Sequence, residues 1–241
     1  VALDGRFLAV HDAKVDDELH RPRVSLLRVA SNLDGVLWME LDVDWGGRPS
    51  NDLESVASIP GTDDVLLVES GDNGSPGPRI FRAHLDGTQL TIRKVVPWPH
   101  EVYNVESSAV ARFGDRFVFL YAERAERKPS TEIRWAEFTP ETLAFGAFES
   151  VTLPSPDPAR TNRPMVALDL GPDDSLYIAA AFDSEAAGLP NPDDGPFASS
   201  VWRVGTVGMD GDAPTVKLLS DPRHLGTLDG MKVESVSVVT T

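Results

Sequence analysis

The sequence predicts an all-β fold, a β-propeller of about four blades with four antiparallel strands each. It reads as a single domain over residues 1–241, with the N- and C-terminal segments pairing in one blade to close the ring. Three observations predict this. A short strand motif recurs four times, its first three copies lead into the same order of turns and strands, and the copies are evenly spaced once the ends are joined.

The recurring motif is Asp52-Leu-Glu-Ser-Val-Ala57, Asn104-Val-Glu-Ser-Ser-Ala109, Arg163-Pro-Met-Val-Ala-Leu168 and Lys232-Val-Glu-Ser-Val-Ser237. Turns at Gly61-Thr-Asp-Asp64, Gly114-Asp115 and Gly171-Pro-Asp-Asp174 follow the first three copies. They lead into the apolar second strands Val65–Val68, Phe117–Tyr121 and Leu176–Ala179. Gly, Asp and Pro supply turn geometry, and branched and aromatic residues suit buried strands. Third strands are read at Arg79–Arg82, Glu132–Ala136 and Ser200–Arg203, and fourth strands at Leu90–Arg93 and Thr215–Leu219. Four strands per repeat is the pattern of propeller blades.

The chain starts on a second strand, Gly5–Val10, continues through Arg23–Arg28 and Val36–Val43, and ends on a first strand, Lys232–Val239. Joining the ends completes a blade and removes an exposed sheet edge. Glu54, Glu106 and Met165 are spaced by 52 and 59 residues, Glu234 follows 69 further on, and 61 separate it from Glu54 around the joined ends. The stretch Gly188–Pro196 reads as a long loop, and Trp38, Trp135 and Trp202 read as core.

Composition narrows the partners. The 241 residues carry a formal charge of −16, which disfavours nucleic acid and anionic membrane surfaces. The absence of Cys excludes thiolate metal sites and a Cys nucleophile. A small-molecule ligand is the expected partner, with no nucleic acid and no membrane insertion. No targeting segment is read in this chain; a secreted or periplasmic and a cytoplasmic location both stay open, as does the oligomeric state.

In a propeller the first strands line the channel, and the loops before them and after the second strands open on one face. Glu54, Glu106 and Glu234 occupy equivalent positions there, and Met165 takes the fourth. Converging carboxylates repel unless a cation compensates them, and oxygen ligands suit a divalent ion, Ca²⁺ first. The alternative is that each Glu is a polar staple, bonded to neighbouring groups or paired with Arg163 or Lys232. Asn51, Asp52, Asn104, Arg124, Arg163, Met165 and Lys232 complete the candidate ligand-binding set. His11 beside Asp12 is the candidate general base. The loops after the second strands also carry Lys14, Asp16, Asp17 and Glu18; Glu69, Ser70, Asp72 and Asn73; Glu123, Arg127 and Lys128; and Asp183, Ser184 and Glu185.

Residues 52–70 resemble the "Asp-Leu-Glu-Gly-(Ile/Leu)-Ala … strand … Ser-(Asp/Glu)" unit of bacterial phytase-like and esterase-like propellers. Lys232-Val-Glu-Ser-Val-Ser-Val238 resembles the closing unit of the same group, with Ser where that group usually has Gly after each Glu. The resemblance implies Ca²⁺-dependent phosphoester or ester hydrolysis, with acidic residues on metal and basic residues on phosphate. A non-catalytic binding propeller, and an isomerase or cyclase using an apolar channel mouth without metal, are the competing readings.

Overall fold

The computed structural model describes residues 1–3, 5–14, 22–29, 35–71, 77–125, 128–184, 187–189 and 195–239. Every regular element among the described residues is a strand, and the strands form four sheets that are the blades of a β-propeller. By packing, the chain divides into two compact units, residues 1–105 with 138–145 and residues 106–137 with 146–241.

The first unit holds two sheets. One contains β1 (Ala2–Leu3), β2 (Arg6–Val10), β3 (Val24–Val29) and β4 (Val36–Glu40) in that order. The other contains β5 (Val43–Asp44), β6 (Leu53–Ser58), β7 (Asp64–Glu69), β8 (Arg79–Asp86) and β9 (Gln89–Pro97), in the order β5-β9-β8-β7-β6. Leu8, Val24 and Leu26 from the first sheet share a core with Leu53, Val65, Leu67 and Phe81 from the second. β6 alternates buried and half-buried residues, as a strand with one packed face must, whereas β7 is buried along its whole length. That explains the unbroken apolar run Val65–Val68. The tail of the predicted strand Val36–Val43 breaks away, and Val43–Asp44 adds to β9 as a parallel edge strand. β4 is exposed throughout, so Trp38, read as core, is a surface residue of an edge strand.

The second unit also holds two sheets. β10 (Val105–Phe113), β11 (Arg116–Glu123) and β12 (Ser130–Thr139) are followed by β14 (Glu149–Pro154), which pairs with β12 over Ser130–Trp135; the end of β12 belongs to the first unit, where Phe138 and Thr139 pair with β13 (Ala144–Phe145). β15 (Arg163–Leu170), β16 (Ser175–Phe182), β17 (Ala198–Asp210) and β18 (Ala213–Asp229) make the last sheet. Ala109, Leu120, Ile133 and Trp135 pack with Met165, Ile178, Val204 and Val216 in one cluster. The β17–β18 hairpin runs well past its predicted strands and stays tight at Gly205, where a Cβ would lie 2.6 Å from the Lys217 carbonyl oxygen.

The recurring motif has a backbone cause. Asp52 and Asn104, two residues before the repeated Glu, both adopt left-handed φ values, 61° and 53°. Short polar side chains tolerate that conformation better than most.

Closure takes a different form from the one predicted. The first sheet is built from residues 2–40 alone, and Lys232–Val239 carries no strand. Val233 and Val236 pack against Val166, Ala167, Ala179 and Ala181 in the second unit. Side chains satisfy amides that a ladder would otherwise pair: Val233 N–H donates to Ser199 Oγ at 2.9 Å, and Val238 N–H to Asp169 Oδ2 at 2.7 Å.

Candidate ligand site

Six charged side chains converge in the second unit. Glu106 lies on β10, Arg124 just after β11, Arg163 at the start of β15 and Asp183 just after β16; Lys232 and Glu234 come from the C-terminal segment. The repeat brings them together, because the start of a first strand lies beside the end of its second strand. Asn162 fixes that junction by accepting from the Asp183 amide at 2.7 Å and donating to the Asp183 carbonyl at 2.8 Å.

The cluster is graded from interior to solvent. Arg163, the largest fully buried side chain among the described residues, is ion-paired with Asp183, and the two side chains are 2% and 3% exposed. Glu106 is 7% exposed and accepts from Nε of Arg124, which is 21% exposed. Lys232 Nζ, 29% exposed, lies 3.8 Å from Asp183 Oδ2 and 2.8 Å from Oε1 of Glu234, which is 71% exposed. Three carboxylates (Glu106, Asp183, Glu234) thus meet three cations (Arg124, Arg163, Lys232). Burial raises the Glu106 pKa above the ordinary Glu value; Arg124 and Arg163 oppose the rise, and Glu234 adds to it.

The first unit holds the other candidates. Asp52 is buried, ion-paired with Lys14, and accepts from Ser70 Oγ at 2.5 Å. Asn51 donates its backbone N–H to Glu69 Oε1 at 2.7 Å. Asn104 is buried beside Val105, whose N–H donates to the Ser70 carbonyl at 2.8 Å. Glu54 is half-buried on β6. His11 Nε2 and Ser25 Oγ are 2.8 Å apart, and the imidazole ring is 5.2 Å from Trp38. Burial lowers the His11 pKa below 6.5, against the opposing charges of Asp12 and Glu40. Asp12 itself is exposed.

Of the predicted set, Glu106, Arg124, Arg163, Lys232 and Glu234 come together. Glu54, Asn51, Asp52, Asn104, His11 and Asp12 belong to the first unit, and Met165 is fully buried in a hydrophobic core. Asp16, Asp17, Glu18, Asp72, Asn73, Arg127 and Glu185 lie outside the described residues. Asp183 belongs to the cluster but was read only as a loop acid. The signal for it is the acid at or just after the end of three second strands: Glu69, Glu123 and Asp183.

A cation does not fit these donors. An ion would have to displace Arg124 from Glu106 and Lys232 from Glu234, and Asp183 already holds Arg163. Among the described residues no group of three or more His, Asp or Glu is arranged to hold an ion.

No family model and no curated protein matches the chain. Several solved structures are similar to it. A protein from Lactobacillus plantarum is 14% identical, aligned over 95% of this chain and 53% of its own, with a TM-score of 0.41. An α-L-arabinofuranosidase from Clostridium thermocellum is 12% identical over 95% of this chain and 71% of its own, with a TM-score of 0.49. A 6-phosphogluconolactonase-like protein from Bacteroides uniformis is 12% identical over 92% of this chain and 55% of its own, with a TM-score of 0.46. The chain spans about half the length of the first of these. What fold and site define is a class, a β-propeller with a buried ion-pair cluster at its strand ends, and no family narrows it further.

Proposed function

We propose that the chain binds a small, oxygen-rich anionic molecule at the Glu106–Arg124–Lys232 side of this cluster. The observation that supports this is the gradient of exposure. Buried ion pairs are a weak source of stability, because desolvation offsets their attraction. A balanced set running from a buried pair out to half-open Arg124 and Lys232 offers fixed donors for a carboxylate or phosphate. Glu106 and Glu234 accept from hydroxyls on the same ligand. Arg124 supplies a planar fork and Lys232 a point charge.

Calorimetric titration of the full chain with tartrate, a small hydroxylated dicarboxylate, tests the reading. Saturable binding is expected, weakened about tenfold or more in Arg124→Gln because a charge-assisted hydrogen bond is removed. No saturable heat, or equal affinity in the variant, sinks it.

One observation favours a second reading, ester or phosphoester hydrolysis. A carboxyl whose pKa is raised by burial is suited to donate a proton to a leaving oxygen. On this reading Glu106→Gln loses turnover of p-nitrophenyl esters or phosphates while tartrate binding persists. Activity unchanged in Glu106→Gln rejects it.

A further inference from the structure

We propose that Arg48, in the first unit, anchors a second site that takes a small oxyanion: the phosphate, sulfate or carboxylate group of a ligand. The site is independent of the cluster above.

The loop 48–51 leads into β6 and is held from below by two arginines. Arg79 donates from NH1 to the Arg48 carbonyl at 3.1 Å and from NH2 to the Pro49 carbonyl at 2.7 Å. Arg23 NH1 donates to the Ser50 carbonyl at 2.7 Å. Arg79 also occupies both oxygens of Glu69: NH2 to Oε1 at 2.7 Å, Nε to Oε2 at 3.1 Å, and its backbone N–H to Oε2 at 2.8 Å. Glu69 is the buried carboxylate of this group, and Arg79 together with the Asn51 amide saturates it.

Arg48 is left over. Its NH2 stands 3.9 Å from Glu69 Oε2, beyond hydrogen-bond reach, and its NH1 is buried with no hydrogen-bond partner among the described residues. Two residues on, Ser50 Oγ is buried in the same condition. The Arg79 guanidinium is close enough to disfavour the Arg48 charge, and burial disfavours it more. Two guanidinium groups around one saturated carboxylate leave a local positive excess, in a chain whose net charge is −16. A buried unsatisfied donor costs free energy, and a buried charge costs more. An oxyanion removes both penalties: it accepts from Arg48 NH1 and compensates the like charges of Arg48 and Arg79. The Arg48 side chain is 27% exposed, so solvent reaches part of the group.

Inorganic phosphate is the probe. Thermal unfolding of the full chain is followed against phosphate concentration, with sodium chloride of matched ionic strength as reference. The wild-type Tm should rise saturably with phosphate, as a ligand that binds only the folded state requires. In Arg48→Gln the half-saturating concentration should rise about tenfold or more, and in Arg93→Gln, an exposed arginine of β9, it should stay at the wild-type value. Absence of a saturable phosphate effect overturns the proposal. So does an effect unchanged by Arg48→Gln, whether or not Arg124→Gln removes it, or one equally weakened by Arg93→Gln. If Arg48→Gln does not fold, amide NMR shifts of the wild-type chain decide. Saturable shifts at Gly47, Arg48, Ser50 and Asn51 support the site, and shifts confined elsewhere overturn it.

Discussion

Removing Asp183 should cost the second unit more than removing the arginine it pairs with. Arg163 and Asp183 are both almost fully buried, but their surroundings differ. When Asp183 becomes Ala, the guanidinium of Arg163 stays buried near Glu106, whose carboxylate already accepts from Arg124. Breaking a buried pair in this way typically costs about 3–5 kcal/mol. When Arg163 becomes Met, the orphaned Asp183 still has Lys232 Nζ 3.8 Å away, on a half-exposed side chain able to close the gap. The methionine also fills much of the vacated volume. We therefore expect a smaller cost for Arg163→Met, about 1–3 kcal/mol. The double variant should be less destabilised than Asp183→Ala alone, because no buried charge is left behind. Urea unfolding of the four proteins at pH 7 measures this as a double-mutant cycle. An Arg163→Met cost equal to or above that of Asp183→Ala, or single effects that simply add, would refute the reasoning.

Three further outcomes follow from the same groups. Burial raises the Glu106 pKa from its ordinary 4.5, so the folded state holds that proton more tightly than the unfolded chain; the stability of wild type relative to Glu106→Gln should fall as pH rises from about 4.5 through the folded-state pKa, read from urea midpoints. Burial lowers the His11 pKa below 6.5, so its C2 proton should titrate below 6.5 by NMR, and stability should be lost as pH falls through that midpoint, an effect absent in His11→Gln. Because Glu106, Asp183 and Glu234 hold their own cations, Tm should not change between excess EDTA and millimolar CaCl₂; a Ca²⁺-dependent rise abolished by Glu106→Gln would restore the metal reading.

The blades were legible in the sequence because first and second strands differ in texture. Leu53–Ser58 alternates, and Val65–Val68 is a continuous apolar run between turns. Strand ends were less legible. The pairing of β17 with β18 continues through bulges and past Pro222 to Asp229, where turn-forming residues suggest a break. The C-terminal segment departs from its sequence pattern for a different reason. Its composition is that of a strand, but Ser199 and Asp169 meet its amides with side chains, and no sequence pattern announces a hydrogen bond between residues 69 apart. Neither Arg48 nor Arg79 lies in the repeated motif, so the repeat does not point to their pairing. Their relation depends on one carboxylate having too few oxygens for two guanidinium groups.

The repeat itself hid the most consequential difference. Glu54, Glu106 and Glu234 are equivalent in sequence, and a ring of equal carboxylates suggested a cation on the axis. The three differ in the property that sets their chemistry: Glu54 is half-buried, Glu106 is buried and Glu234 is open to solvent. Arg124 follows one second strand where serines, Ser70 and Ser184, follow two of the others. That single replacement places a guanidinium on Glu106. Arg163 and Lys232, in turn, stand where the other two repeats carry Asp52 and Asn104, so two cations enter the site at a position that elsewhere serves the backbone. On the proposed reading, specificity resides in the departures from the repeat: Arg124, Arg163 and Lys232 are the residues that would make a set of repeated acids a site for an anion.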